Sequence, residues 1–330
     1  MNWKNRRVLV TGAGGFIGSH LAEELARRGA KVRALIRYNS RNHWGFLEQT
    51  TPELARRIDV WPGDITDPFF VAKLLEGQEI VFHLAALIAI PYSYVAPASF
   101  ATTNVHGTLN VLEACRQAKP PRIVVTSTSE VYGTALYTPI DEKHPLQGQS
   151  PYSASKIGAD HVAESFYRSF GLPVAIVRPF NTYGPRQSAR AVIPAIMTQL
   201  LSGGESLSLG SLKPVRDFTF VQDTVEGFLA AADSPKTVGT VTQLGSGIGI
   251  GIGELAEKIM RLVGRRAKIV TDRRRIRPER SEVWKLLCDN RKAKKLLGWK
   301  PRYSLDEGLA LTLQYVRSHR DEYKPRLYNI

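Results

Sequence analysis

Cysteine is nearly missing from this chain: Cys115 and Cys288 are the only two in 330 residues. Two are too few for a disulfide framework. The seven histidines, His20, His43, His83, His106, His144, His161 and His319, show no metal-ligand spacing with cysteines or carboxylates, so no metal is expected. Long hydrophobic runs are also missing. None approaches the ~20 residues that a membrane helix needs, so no membrane partner is expected. The first apolar strand begins at Val8, which leaves no room for a secretory leader, and a cytoplasmic location is the expectation. The chain carries no internal repeat, low-complexity tract or flexible linker. Its 43% hydrophobic content is ample for a large buried core.

Acidic residues are in short supply: 45 Lys and Arg against 30 Asp and Glu leave a net charge of +15. The excess crowds into 265–300, where Arg273, Arg274, Arg275, Arg277 and Arg280 lie close together. Neither a nucleic-acid-binding module nor interleaved stacking aromatics accompany it, so no nucleic-acid partner is expected. The cluster reads as a solvated face with one or two arginines for a nucleotide diphosphate.

What is present begins with Val8-Leu9-Val10, a short buried strand. It runs into Thr11-Gly12-Ala13-Gly14-Gly15-Phe16-Ile17-Gly18 and a helix with Ile17, Leu21 and Leu25 on one face. Strand, glycine turn and helix are the context a dinucleotide site requires. Gly12 permits the tight turn, Gly14 or Gly15 lets the backbone approach a pyrophosphate, and Gly18 lets the helix pack on the strand. Further strands are predicted at Val32–Ile36, Ile58–Val60, Ile80–His83, Ile123–Ser127 and Val174–Arg178. Helices are predicted at Phe16–Arg28, Pro68–Leu75, Ala98–Ala118 and Tyr152–Phe170. This alternation predicts an α/β fold, a doubly wound parallel sheet of Rossmann type. Val241–Leu244 reads as a strand returning to the sheet and Gly253–Val263 as a helix. Residues 1–180 with about 218–250 are therefore assigned to the cofactor domain. Residues 181–217 and 251–330 are assigned to a smaller, discontinuous C-terminal substrate lobe.

The strand at 123–127 leads into Thr128-Ser129-Glu130. Across a loop stand Tyr152 and Lys156, four apart and so on one helix face. An ammonium beside a phenol favours the phenolate, which equips Tyr152 to take a proton from a sugar hydroxyl. Glu130 supplies a second, separate base. Simple alcohol oxidation needs one, so a carboxylate placed there suggests that a C–H bond is also broken.

Several motifs in fixed order resemble the extended short-chain dehydrogenase/reductases that act on nucleotide sugars, over essentially the whole chain. They are the glycine motif at 11–18, Gly63-Asp64-Ile65-Thr66-Asp67, His83-Leu84-Ala85-Ala86, Asn104-Val105-His106-Gly107-Thr108, the Tyr152/Lys156 pair, Arg178-Pro179-Phe180-Asn181-Thr182-Tyr183-Gly184-Pro185, and Arg216-Asp217-Phe218. Ser-Glu-Val-Tyr-Gly at 129–133 and Gly184-Pro185-Arg186-Gln187 carry the further likeness to nucleotide-sugar 4,6-dehydratases, especially those acting on activated N-acetylglucosamine in legionaminic-acid-type pathways. The resemblance implies that Tyr152 deprotonates the 4-hydroxyl, Lys156 holds the cofactor ribose and Thr128 binds the 4-oxygen. Glu130 then removes the C5 proton as the 6-hydroxyl leaves, and the cofactor is regenerated each turnover. Many dehydratases have Thr-Asp-Glu where this chain has Thr128-Ser129-Glu130; the same Thr-Ser-Glu occurs in GDP-mannose 4,6-dehydratases and in UDP-glucuronate decarboxylases. A decarboxylase, a 4-epimerase and a non-catalytic NAD(P)-binding sensor stay open as alternatives.

NAD-preferring enzymes usually place an acid at the end of the second strand. Here Arg37-Tyr38-Asn39-Ser40-Arg41 has none. Arg37, Ser40 and Arg41 suit a 2′-phosphate, so NADP is expected, with NAD bound through other contacts as the alternative. The resemblance further places Gly12, Gly15, Phe16, Ile17 and Gly18 at the dinucleotide, Asp64 and Ile65 beside the adenine, and Leu84, Ala85, Ala86 and Asn104 on the nicotinamide side. It assigns Asn181, Arg186 and Arg216 to the nucleotide sugar, with Arg277 or Arg280 completing the diphosphate clamp. It also implies a homodimer through paired helices at 98–118 and 152–170. The sequence leaves open which nucleotide, UDP, GDP or dTDP, the sugar carries.

Overall fold

The computed structural model describes residues 1–325, 327 and 328. The chain runs β1 (Arg7–Thr11), α1 (Phe16–Arg27), β2 (Lys31–Arg37), α2 (Pro52–Ala55), β3 (Ile58–Gly63), α3 (Pro68–Leu75), β4 (Ile80–His83), α4 (Ile90–Val95), α5 (Pro97–Phe100), α6 (Gly107–Ala118) and β5 (Arg122–Thr126). It continues through α7 (Pro151–Phe170), β6 (Val174–Pro179), β7 (Asn181–Tyr183), α8 (Val192–Leu201), β8 (Ser206–Leu209), β9 (Val215–Phe220), α9 (Val221–Asp233) and β10 (Val241–Leu244). Last come β11 (Gly249–Gly251), α10 (Ile252–Val263), β12 (Lys268–Thr271), α11 (Arg291–Leu297) and α12 (Leu305–Ser318).

Seven strands form one parallel sheet in the order β10-β6-β5-β4-β1-β2-β3. Alternate residues of each strand face opposite layers. Val8, Val10, Ile80, Phe82 and Val124 pack with Leu21 and Leu25 of α1 and Phe228 and Leu229 of α9. Leu9, Val81, Ile123 and Val125 pack with Leu74 of α3, Leu112 of α6 and Phe166 of α7. A sheet covered on both faces needs strands that are apolar on both, which is why β4 and β6 are buried throughout. The strand order reverses beside β1, so the crevice between the carboxyl ends of β1 and β4 is where such a sheet receives a ligand. The fold is the Rossmann-type α/β arrangement expected.

Three short strands, β11-β9-β7, form a second sheet, with a third core built from Ile196 and Met197 of α8, Leu255 and Ile259 of α10 and Leu309 and Leu313 of α12. The helix expected over 98–118 is continuous from Pro97 to Ala118, as α5, a π-helical stretch Ala101–His106 and α6. Its Gly107 packs closely on the segment after β3, where a Cβ would lie 2.5 Å from Ile65 Cδ1. Wider helical turns of this kind concentrate at functional sites.

Candidate active site

The turn after β1 is tight because glycine lets it be. Gly12 has φ +71°, and a Cβ there would lie 2.8 Å from the Ala85 amide nitrogen. On Gly18 it would lie 2.2 Å from the Gly12 carbonyl oxygen. Gly15 is the N-cap of α1 and no side chain caps that helix. Its first-turn amides and positive dipole end are thus left for an anion such as a pyrophosphate. Phe16 and Ile17 are half-buried, packing on the cores on either side. Gly12, Gly15, Phe16, Ile17 and Gly18 therefore make a cradle that fits a dinucleotide.

A buried chain of hydrogen bonds joins this turn to the next. Thr108 donates to the Asn104 carbonyl at 2.6 Å, so it accepts from His83 Nε2 at 3.0 Å. His83 Nδ1 then accepts from Thr11 at 2.8 Å, and Thr11 Oγ1 accepts from the amides of Leu84 and Ala85. Burial and the nearby Lys156 charge lower the His83 pKa to about 3, so the ring stays neutral and the tautomer fixed. Asn104 carries no free hydrogen for a cofactor. Its amide is used on both backbone groups of Leu87 and on Ser155, and it pins the 84–87 turn, including Ala86, to α7.

Ser150 caps α7 reciprocally with Ser153, which starts the helix at Pro151, one residue before Tyr152. Tyr152 is buried at 7% exposure against Phe100. The expectation that Lys156 depresses its pKa is not met in this geometry. Burial pushes the phenol up, Thr128 opposes by a hydrogen bond, and Glu130 and Asp160 add to the rise. Lys156 instead donates to the Thr126 carbonyl at 2.7 Å, and burial lowers its own pKa against the pull of Asp160. Thr128 accepts from the Glu130 amide at 3.2 Å. Ser129 and Glu130 are buried in the short helical turn that follows.

Two arginines face this carboxylate. Arg277 Nη1 lies 3.6 Å from Glu130 Oε2 and is buried without a hydrogen-bond partner. Burial works against its charge, but Glu130 and Glu282 outweigh burial and hold its pKa high. Arg216 lies 3.5 Å from Glu282; burial lowers its pKa while Glu130 and Glu282 resist. Asn181 Oδ1 is buried with no partner. Glu282 and Tyr94, which hydrogen-bonds Ser281 at 2.6 Å, escaped sequence reasoning; no motif marks them.

Other expected residues stand elsewhere. Arg186 is corrected: it does not face a substrate but is buried, donating to Glu23 at 2.8 Å, to Ser19 and to Gln49. Asp64 is exposed and caps its turn by accepting from the Thr66 amide and hydroxyl, while the Ile65 side chain lies in the core. Arg37, Ser40 and Arg41 are exposed on a loop that Asn39 organises. Arg280 is exposed as well. Among the described residues no cluster suits a metal ion and no helix is long and apolar enough to cross a membrane.

The family model for GDP-mannose 4,6 dehydratase matches residues 9–312. A UDP-glucose 4-epimerase of Mycolicibacterium smegmatis is 33% identical over 94% of this chain and 99% of its own. A UDP-N-acetyl-alpha-D-glucosaminuronate decarboxylase of Bacillus cytotoxicus is 33% identical over 94% and 98%. The solved dTDP-glucose 4,6-dehydratase of Streptomyces venezuelae, with NAD bound, is 32% identical at a TM-score of 0.86, covering 97% of this chain and 99% of that one.

Proposed function

Because the chain belongs to the GDP-mannose 4,6-dehydratase family, and so to the nucleotide-sugar-modifying dehydratases and epimerases, we propose that it is a nucleotide-sugar 4,6-dehydratase. The substrate is a nucleoside-diphosphate hexose, with the activated N-acetylglucosamine of the sequence resemblance as the first choice. The product is the 4-keto-6-deoxy sugar. The bound nicotinamide supplies a hydride acceptor for C4 and a hydride donor for C6. Tyr152 takes the 4-hydroxyl proton and Thr128 holds that oxygen. Glu130 takes the C5 proton and passes a proton to the departing 6-hydroxyl, which leaves as water; C6 then receives hydride and C5 a proton, so the net change is loss of one water. Lys156 orients the ribose. Asn181, Arg216 and Arg277 receive the nucleotide sugar.

The observation that carries this reading is Glu130, a buried carboxylate two residues beyond the Tyr152 partner Thr128. A 4-epimerase needs only the phenol and threonine, and Glu130 would be idle in it. In Glu130→Gln, C4 oxidation is expected to survive and elimination to fall by about 10²–10⁴-fold, the range for loss of a general base. Reduced cofactor and 4-keto sugar that has kept its 6-hydroxyl then accumulate. Unchanged deoxy-sugar formation would contradict the assignment. Arg277 favours decarboxylation as a second reading, since its unpartnered Nη1 suits a substrate carboxylate; carbon dioxide release from a UDP-uronate marks that outcome.

NAD is the proposed cofactor in place of the expected NADP. The solved relative binds NAD, and exposed Arg37, Ser40 and Arg41 form no enclosed phosphate pocket. The mass of the nucleotide released on denaturation checks this. A homodimer through α6 and α7, which expose Leu109, Tyr167 and Phe170, is proposed with it.

A further inference from the structure

We propose that the buried Arg178–Asp160 pair is a positioning device that holds the two bases of this reaction in register. The proposal rests on the dehydratase reading. Asp160 lies one helical turn beyond Lys156 and two beyond Tyr152, on the same stripe of α7. Arg178 projects from β6, the neighbouring strand. Nη2 and Nε of Arg178 donate to Asp160 Oδ2 at 2.9 and 3.2 Å, and the residues are 4% and 3% exposed.

What the pair grips explains why it is there. Ser127 donates to Asp160 Oδ2 at 2.6 Å and accepts from Arg178 Nε at 3.3 Å. Arg178 Nη1 donates to the Tyr132 hydroxyl at 2.9 Å, with the guanidinium 5.1 Å from the ring centroid. Ser127 and Tyr132 bracket Thr128, Ser129 and Glu130. One ion pair therefore ties both ends of the segment bearing the C5 base to the helix bearing the C4 base. Taking two charges out of water is expensive, and a packed apolar pair would serve stability as well or better. Elimination needs Glu130 aimed at a proton on the carbon next to the one Tyr152 has just acted on, and small misplacements of such groups are costly.

Ser127→Ala and Tyr132→Phe each release one end of the segment while leaving the ion pair and the catalytic groups intact. With wild type in parallel, reduced-nicotinamide absorbance in a single turnover reports C4 oxidation, and deuterium uptake at C5 from deuterium oxide reports Glu130. Both variants are expected to keep the cofactor and oxidise at close to the wild-type rate. C5 exchange is expected to slow on the order of tenfold or more, so that reduced nicotinamide accumulates. Equal slowing of both steps, or of neither, would overturn the proposal. Should Tyr132→Phe melt early, Ser127→Ala carries the test alone, because it removes only one hydroxyl. A wild-type protein that oxidises but never eliminates would instead sink the dehydratase reading, which the parallel arm separates from failure of the variants.

Discussion

At the scale of single residues, burial decides more than proximity. His20 is held by the Pro185 carbonyl, and burial, then Arg186, lowers its pKa to about 4. A histidine whose folded pKa lies below its ordinary ~6.5 contributes stability above that pH and loses it as the pH falls toward the folded value. Stability should therefore drop between about pH 6.5 and pH 4, by on the order of 3 kcal/mol from His20, with His83 adding its own loss over the same range and on toward pH 3. Melting temperature against pH checks this, and His20→Gln should flatten the upper part of the curve. Arg186→Ala leaves Glu23 buried and unpaired and should cost about 3–5 kcal/mol in urea unfolding, while Arg186→Met with Glu23→Gln recovers most of it. The Tyr152/Lys156 pair was legible because helical spacing alone puts two residues on one face. The role of Arg186 was not, since its partner Glu23 is 163 residues away in the chain. Separations of 46 and 51 residues hide Arg178 from Tyr132 and Ser127 in the same way.

At the scale of elements, the turn between β1 and α1 is the part most tightly determined by sequence. Gly18→Ala would place a methyl 2.2 Å from the Gly12 carbonyl and should push α1 off the strand, lowering stability by about 1–3 kcal/mol and emptying the protein of its dinucleotide. Nucleotide released from purified protein and thermal unfolding report the two effects. Strands buried on both faces announce themselves as apolar runs, and β1, β2, β4, β5 and β6 fall within a residue or two of expectation. The 98–118 helix was legible as well, but not its π-helical stretch, which keeps an amphipathic pattern; the contacts of Gly107 with Ile65 and of Asn104 with Leu87 are ones that local sequence does not contain. Strands β8 and β12 pair with each other across about 60 residues and carry too few residues for a period to show.

At the scale of the whole molecule, the C-terminal edge of the parallel sheet collects the glycine cradle, the His83 relay of hydrogen bonds and Tyr152 with Lys156. The basic 265–300 segment contributes Arg277 to the same place, while Arg274 and Arg275 pair with Asp272 and Arg291 with Asp289. Which cation of the segment reaches Glu130 follows from three-dimensional placement and was beyond the reach of charge counting. The central claim is that two bases act in sequence on adjacent carbons. It is tested most directly by incubating the protein in deuterium oxide with UDP- and GDP-N-acetylglucosamine, UDP-glucose and UDP-glucuronate, followed by proton NMR and mass spectrometry. Loss of one water, a new C6 methyl signal and deuterium at C5 from one of the hexoses is the predicted result. Carbon dioxide from the glucuronate alone, or inversion at C4 with the 6-hydroxyl kept, would contradict it.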